Sequence, residues 1–173
     1  MTLTDTHIKL RQATTATDLD IVRDLILVVG LSTERSAITA TLDDCTYWIA
    51  DLDGMPAGCI GLEHGQGVSL LRSASVRPEA RRGGIGRALA TSALTQASLR
   101  GDSAVYLFSS DAGPFWEQFG FVPATAAEVE AALPDAPQVR SGLLRGWIHE
   151  EQVWRRDIPQ PLSGAAGPQG AAG

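Results

Sequence analysis

Residues 70–89 read LLRSASVRPEARRGGIGRAL. This stretch predicts an apolar strand that stops at Pro78, then a turn rich in arginine and glycine, and then a helix. The first N–H groups of a helix have no intrahelical partner, and the helix dipole adds partial positive charge there. Fixed cations surround this point at Arg81, Arg82 and Arg87. The stretch therefore predicts a site for a diphosphate or polyphosphate group.

Two better-known glycine motifs do not fit this stretch. A phosphate loop for ATP or GTP needs lysine and then serine or threonine after its last glycine, whereas arginine and alanine follow Gly86. The dinucleotide fingerprint needs a glycine or alanine where the chain has Leu89. What remains is the pattern Arg81-x-x-Gly84-x-Gly86. Taken alone, this short pattern also fits a basic turn that binds no ligand.

The pattern Arg81-x-x-Gly84-x-Gly86 after a long strand resembles the pyrophosphate-binding motif of the GNAT family of N-acetyltransferases, whose cosubstrate is acetyl-coenzyme A. Residues 115–121, FWEQFGF, resemble the second landmark of that family, Phe-Tyr-x-x-x-Gly-Phe, at the expected distance. The resemblance covers residues 7–156. It implies an α/β fold with a mixed, mostly antiparallel sheet flanked by helices, in which two strands separate at the motif and the pantetheine arm lies between them.

Length and composition agree with a single globular domain. The chain has 173 residues, of which 44% are hydrophobic and 20% charged. A net charge of −6 argues against nucleic-acid binding. Neither a membrane span nor a signal peptide is expected, and two scattered cysteines favour neither a disulfide framework nor a metal site. We therefore expect a cytoplasmic protein without a metal, either a monomer or a homodimer.

Hydrophobic periodicity and turn residues predict the other elements. Strands are expected at 8–13, 47–50, 57–63, 68–76, 104–108 and near 147–156. Helices are expected from Thr17, taken as an N-cap, to Gly30, and at 34–42, 84–100, 113–119 and 128–133. Asp53 and Gly54 predict a hairpin turn. Residues 159–173 are rich in proline, glycine and alanine, so we expect a disordered tail after a domain at 1–158.

The donor site implied by the resemblance has two parts. Backbone N–H groups at residues 83–87 would hold the pyrophosphate, and an N–H near residues 74–76 would hold the developing oxyanion. The residues expected to contact the coenzyme are Ala74, Ser75, Val76, Arg81, Arg82, Gly83, Gly84, Ile85, Gly86, Arg87 and Ser109.

Trp116 departs from the family pattern. Many members have a tyrosine there that protonates the departing coenzyme thiolate, whereas an indole N–H supplies no proton. A thiol with a pKa near ~8.5 is a tolerable leaving group without help, and water or a serine hydroxyl can relay the proton. Ser109 and Ser110 are the candidates for this relay. Phe115 and Phe119 are interpreted as core aromatics.

The acceptor amine must lose a proton before it attacks the thioester directly. Glu63, at the end of the strand that pairs with the motif strand, is the first candidate for the base, and a solvated strand-end carboxylate is the alternative interpretation. His64 and Asp111 are reserves.

Arg72 interrupts an apolar strand, and a cation there needs a partner. It is interpreted as a fork for an acceptor carboxylate, with an internal ion pair as the alternative. Leu70-Leu71-Arg72-Ser73 and residues 106–112 resemble small acetyltransferases found with arsenic-resistance genes, although the C-terminal third differs. That resemblance implies an amino-acid-like acceptor, including arsenic- or phosphorus-bearing glutamate analogues. His149, Glu150 and Glu151 are candidates for the acceptor side of the cleft.

Three functions remain open. The leading hypothesis is a small-molecule N-acetyltransferase. The alternatives are a protein or peptide N-acetyltransferase and a non-catalytic acyl-coenzyme A sensor, which Trp116 keeps open. Residues 31–42, which by resemblance would line the acceptor pocket, carry no pattern that identifies the acceptor.

Overall fold

The computed structural model describes residues 7–29 and 45–159. The strands are β1 (Ile8–Gln12), β2 (Cys45–Leu52), β3 (Met55–His64), β4 (Val68–Val76), β5 (Ala104–Phe108), β6 (Val122–Ala124) and β7 (Val153–Asp157). The helices are α1 (Ala16–Val28), α2 (Ile85–Arg100), α3 (Gly113–Glu117), α4 (Ala126–Ala132) and α5 (Pro137–Arg145), with 3₁₀ turns at Pro78–Ala80 and Trp147–His149. One seven-stranded sheet has the order β1-β2-β3-β4-β5-β7-β6. Among the described strands only the β4–β5 pair is parallel, which confirms the predicted mixed, mostly antiparallel sheet.

The β2–β3 hairpin turns at Asp53 and Gly54, as the sequence predicts. Both residues have positive φ, 51° and 86°, which is the signature of a tight type I′ hairpin. Strands β3, β4 and β5 keep close to their predicted bounds, because apolar runs bounded by turn residues leave little choice of register.

Helices cover both faces of the sheet. On one face, α2 packs its apolar side over a core that includes Leu62, Leu71 and Leu107. On the other face, α1 covers Tyr47, Ile49 and Cys59. A third cluster joins α4 and α5 to Leu70 and Tyr106 on β4 and β5; its other buried members are Ala104, Val129, Leu133, Ala136, Val139, Ile148 and Val153.

Several predicted boundaries need correction. Helix α1 is capped by Thr15 rather than Thr17, and the 147–156 segment begins with a 3₁₀ turn before β7. Helix α5 was not predicted at all. The predicted helix at 34–42 and residues 160–173 of the predicted tail lie outside the described residues, as do Gly30 and the segment 31–42. No helix among residues 7–29 and 45–159 is both long and apolar enough to cross a membrane.

Thr15 and Asp18 form a capping box at the start of α1. The N–H of Thr14 and the guanidinium of Arg11 lower the pKa of Asp18 to about 2. Because this carboxylate gains its partners on folding, its contribution to stability is complete above the unfolded-state pKa of about 3.9 and is lost as pH falls through about 2.

We therefore expect Asp18→Asn to lower the free energy of unfolding at neutral pH. Below about pH 2 it should have little effect, because Asp18 is then protonated in the folded protein as well. Urea unfolding of both proteins at about pH 6 and about pH 1.5 measures the difference. A gap between the two proteins that stays the same at both pH values would contradict the assignment.

Candidate active site

An opening in the sheet begins where β4 and β5 stop pairing. Their parallel register runs from Val68 opposite Ala104 to Leu71 opposite Leu107. Strand β4 continues for five more residues, to Val76, whereas β5 ends at Phe108. The edge of β4 from residue 72 to residue 76 therefore has no β5 partner. This gap is the separation of strands that the resemblance implies.

The backbone of Val76 faces this gap. The N–H of Arg77 donates to the carbonyl of Ala57 at 2.8 Å, so the peptide groups of the neighbouring Val76 point away from β3. In agreement, Nε of Arg81 reaches the carbonyl of Val76 from outside the sheet at 3.1 Å. A ligand with amide groups that entered the gap would hydrogen-bond to these peptide groups.

A β-bulge lies at the base of the gap. Gly61 pairs with Arg72 and Cys59 pairs with Ser75, so Ile60 alone stands opposite Ser73 and its neighbour at position 74. Ser73 has a φ of 58°, a left-handed conformation that is uncommon outside glycine and costs free energy. A bulge of this kind bends its strand and changes the direction of the neighbouring peptide groups.

The turn before α2 presents backbone N–H groups at the other end of the gap. Arg82 and Gly84 have positive φ, 74° and 84°. The first intrahelical bond joins the N–H of Ala88 to the carbonyl of Gly84 at 3.0 Å, which leaves the N–H groups of residues 85–87 without helix carbonyls. A Cβ on Gly84 would meet no atom within 4 Å. The turn is open and suited to an anion.

The three arginines of the turn differ in placement. Arg81 and Arg82 are exposed beside the helix N-terminus. Arg87 instead donates to Gln118 at 2.8 Å and lies over the ring of Phe119, with 5.4 Å between Cζ and the ring centroid. The sequence predicts all three side chains around a phosphate group. Arg81 and Arg82 lie beside the helix N-terminus, whereas the side chain of Arg87 contacts the residues that follow α3.

Arg72 and Glu63 form a buried ion pair between neighbouring strands. Only 1% of the Glu63 side chain and 14% of the Arg72 side chain is exposed. The other carboxylate oxygen of Glu63 accepts the N–H of Gln138, at the start of α5, at 3.1 Å. The interpretation of Glu63 as a solvated strand-end carboxylate is therefore wrong, because α5 covers it. The internal ion pair considered for Arg72 is present.

Ser109 lies directly after β5, at the rim of the gap. Its hydroxyl oxygen accepts the N–H of Ala112 at 3.2 Å, which leaves the hydroxyl hydrogen for another acceptor. Ser110 instead donates to Glu151 at 2.6 Å. Asp111 is exposed. Of the two serines predicted for a relay, Ser109 has the freer proton.

Trp116 is a core residue in this structure. Its side chain is buried and meets Phe115 and Phe121 edge-on, with ring centroids 4.8 and 5.6 Å apart. Phe115 and Phe119 are half-buried and pack against the same core, as interpreted from the sequence. The aromatic segment therefore packs into the same hydrophobic core as α2.

The other predicted polar residues lie at the edges of the site. His64 contacts the hydroxyl of Thr46 through Nε2 at 2.7 Å. His149, Glu150 and Glu151 are exposed. Within the described ranges, no three histidine, cysteine or acidic side chains are grouped as metal ligands.

Three contributors to the site were not predicted: Tyr47, Ser73 and Gln138. Tyr47 is fully buried over Gly61, where any Cβ would lie 2.5 Å from the ring, and its hydroxyl is 3.4 Å from the hydroxyl of Ser73. Gln138 contributes only its backbone N–H. The Pro137 start and Gly146 end of α5 were the signal that could have located this helix.

Comparison with known proteins supports this geometry. Residues 43–123, just under half of the chain, match the family model described as an acetyltransferase (GNAT) domain. No curated protein sequence matches the chain. Among solved structures, N-acetylglutamate synthase from Neisseria gonorrhoeae, complexed with coenzyme A and N-acetyl-glutamate, is 20% identical with a TM-score of 0.69, covering 89% of this chain and 36% of that one. This chain thus spans only about a third of that synthase.

Two further structures match over nearly their whole length. Rv2747 from Mycobacterium tuberculosis, in complex with CoA and NLQ, is 17% identical with a TM-score of 0.67, and the match covers 87% of this chain and 99% of that one. The ribosomal-protein-S18-alanine N-acetyltransferase from Escherichia coli is 16% identical with a TM-score of 0.64, covering 90% and 96%. At these identities the likeness concerns the fold.

Proposed function

Because residues 43–123 match the family model described as an acetyltransferase (GNAT) domain, we propose that the chain belongs to this family and transfers an acetyl group from acetyl-coenzyme A to the amine of a small, amino-acid-like acceptor. The observation that carries the proposal is the unpaired β4 edge, which runs from the bulge at Ser73 to the open N-terminus of α2. This edge offers amide partners at one end and an anion site at the other.

The residues present fit the donor. The N–H groups of residues 85–87 would hold its pyrophosphate, with Arg81 and Arg82 beside them. The backbone of Val76 and Ala74 would pair with the amides of the pantetheine arm. The N–H groups near the bulge would donate hydrogen bonds to the thioester oxygen as negative charge develops on it. Bound acetyl-coenzyme A supplies the activated acetyl group.

Transfer needs one new bond and one broken bond. The neutral amine nitrogen attacks the thioester carbon, the C–N bond forms, and the C–S bond breaks to release the thiolate. The amine proton must leave and the thiolate must gain one. We propose that Ser109, with its free hydroxyl hydrogen, relays a proton to the thiolate in place of the missing tyrosine.

Arg72 supports an acceptor that carries a carboxylate. Its Nη1 is bound to Glu63 and its Nε contacts Ser73 at 3.2 Å. Part of its side chain is exposed beside the bulge, so it can present a further N–H to a ligand. The neighbour from Neisseria gonorrhoeae was solved with an acetylated amino acid. These observations, with the resemblance to arsenic-resistance acetyltransferases, favour amino acids and glutamate analogues as acceptors.

The compartment is part of the proposal. Cys45 and Cys59 are free and buried, which suits the reducing cytoplasm. Burial raises the pKa of both thiols to about 12, so neither acts as a nucleophile near neutral pH.

Release of free thiol from acetyl-coenzyme A, measured across a panel of amines, tests the proposal. The panel pairs each amino acid with its carboxamide and includes short peptides. We expect at least one amino acid to react about tenfold or more faster than its amide, since the amide lacks the charge that Arg72 would bind. Release with peptides alone would favour the peptide acetyltransferase. Binding of acetyl-coenzyme A without release for any amine would favour the sensor.

A further inference from the structure

A continuous path of contacts links the start of α5 to the β4 bulge. The N–H of Gln138 donates to Oε1 of Glu63 at 3.1 Å, and Oε2 of Glu63 accepts Nη1 of Arg72. Nε of Arg72 then donates to the hydroxyl of Ser73 at 3.2 Å. Each link uses a different atom of its residue, so one geometry satisfies all of them at once.

Ser73 is the end of this path and the strained residue of the bulge. Among the described residues, the other non-glycine positions with positive φ are Asp53 and Arg82, and both lie in turns. Ser73 lies inside a strand. Its hydroxyl is contacted by Arg72 and lies 3.4 Å from the hydroxyl of buried Tyr47. Its carbonyl accepts the hydroxyl of Ser75 at 3.1 Å. Side-chain contacts therefore hold a conformation that the backbone alone disfavours.

The surroundings of Glu63 argue against its service as a base. Both of its oxygens have partners, and only 1% of its side chain is exposed. A general base needs an oxygen within hydrogen-bond reach of the proton that it removes. The groups that face Glu63 are Arg72 on β4, Cys45 across the β2–β3 pair, and the backbone of α5.

We propose that Glu63 is a positioning residue: through Arg72 and the hydroxyl of Ser73, it sets the bulge that aims the β4 N–H groups at the reacting thioester. The sequence predicted Glu63 as the catalytic base, so the proposal gives the same residue a different role. The proposal rests on the acetyl transfer proposed above, because the bulge matters for rate only if the thioester lies against it.

A double-mutant cycle with Glu63→Gln and Ser73→Gly tests the proposal by kinetics. Glycine accepts the positive φ of Ser73 but removes the hydroxyl. If the two residues act in one path, each single variant loses about tenfold in kcat, with a smaller change in KM for the acceptor. The double variant is then no slower than the slower single variant. Asp51→Asn is the control. It removes the carboxylate of a different ion pair, which Asp51 forms with Arg11 at the β1 edge of the sheet.

Losses that multiply in the double variant would overturn the proposal. So would a loss of kcat in Glu63→Gln of about 1000-fold or more with no change in Ser73→Gly, which is the pattern of a removed base. If Glu63→Gln does not fold, Glu63→Asp takes its place in the cycle. It keeps the charge beside Arg72 but shortens the side chain that contacts Arg72 and the N–H of Gln138.

A second readout does not depend on transfer. Amide N–H resonances of Ala74 and Val76 report the bulge directly, although Glu63 contacts neither residue. We expect both resonances to shift in Glu63→Gln and to stay in place in Asp51→Asn. Unchanged resonances in Glu63→Gln would overturn the proposal even if the enzyme is active. Shifted resonances in a protein that acetylates no amine would sustain the path and reject the proposed function.

Discussion

The double variant Arg81→Glu/Arg82→Glu is expected to bind acetyl-coenzyme A about 100-fold more weakly than the unaltered protein. Both arginines are exposed beside the open N-terminus of α2. A hydrogen bond to a charged group is worth about 1.5–3 kcal/mol. The loss of two phosphate contacts therefore weakens binding by about 100-fold or more, and repulsion by the two new carboxylates adds to this loss. Titration calorimetry with acetyl-coenzyme A measures it.

The control must change the net charge by the same amount at another place. Lys9→Glu/Arg140→Glu does so at two exposed positions on β1 and α5. We expect this control to lose only a small part of the affinity, through the long-range field of the protein. Equal losses in the two double variants would show that the field of the chain, and not the turn, attracts the donor.

Arg72→Ala is expected to cost about 3–5 kcal/mol of unfolding free energy, because it leaves the buried carboxylate of Glu63 without its cation. For a domain of this size the melting temperature should fall by roughly 10 °C. Arg155→Ala is the control. Arg155 pairs with Glu128 at 2.9 Å, but both side chains are 38% exposed, so we expect a loss of about 1 kcal/mol or less.

The pair variant Arg72→Met/Glu63→Leu separates stability from function. Replacing both members of a buried ion pair with apolar residues is often neutral or stabilising, so much of the lost stability should return. Activity on carboxylate-bearing acceptors should not return, because the guanidinium is still missing. Recovery of both stability and activity would show that Arg72 serves only the fold.

The elements that carry the proposed donor site were predicted more closely than those around Glu63. Strand β4 and helix α2 have long apolar patterns that end at proline and glycine, so local chemistry sets their bounds. The phosphate turn is equally local. The gap between β4 and β5, by contrast, followed only from a resemblance, because strand separation depends on which residues pair across the sheet.

Glu63 shows why the acceptor side was harder. Its burial depends on α5, a short helix with Ser141 and Gly142 in its middle, where intrinsic helix propensity is weak. When that helix is not predicted, a glutamate at the end of a strand is expected to be solvated. The left-handed Ser73 gave no signal either, because tertiary contacts with Arg72 and Tyr47 hold it and serine has no preference for positive φ.

The central claim is that the β4 edge and the α2 turn bind acetyl-coenzyme A, and ligand-induced stabilisation tests it most directly. Melting curves are recorded for the unaltered chain with acetyl-coenzyme A, ADP and NAD at equal concentrations. At about 100 times its Kd, a ligand stabilises by about 2.7 kcal/mol, which raises the melting temperature by roughly 5–10 °C. We predict this rise with acetyl-coenzyme A, a smaller one with ADP and none with NAD. No rise with acetyl-coenzyme A, or an equal rise with NAD, would contradict the account.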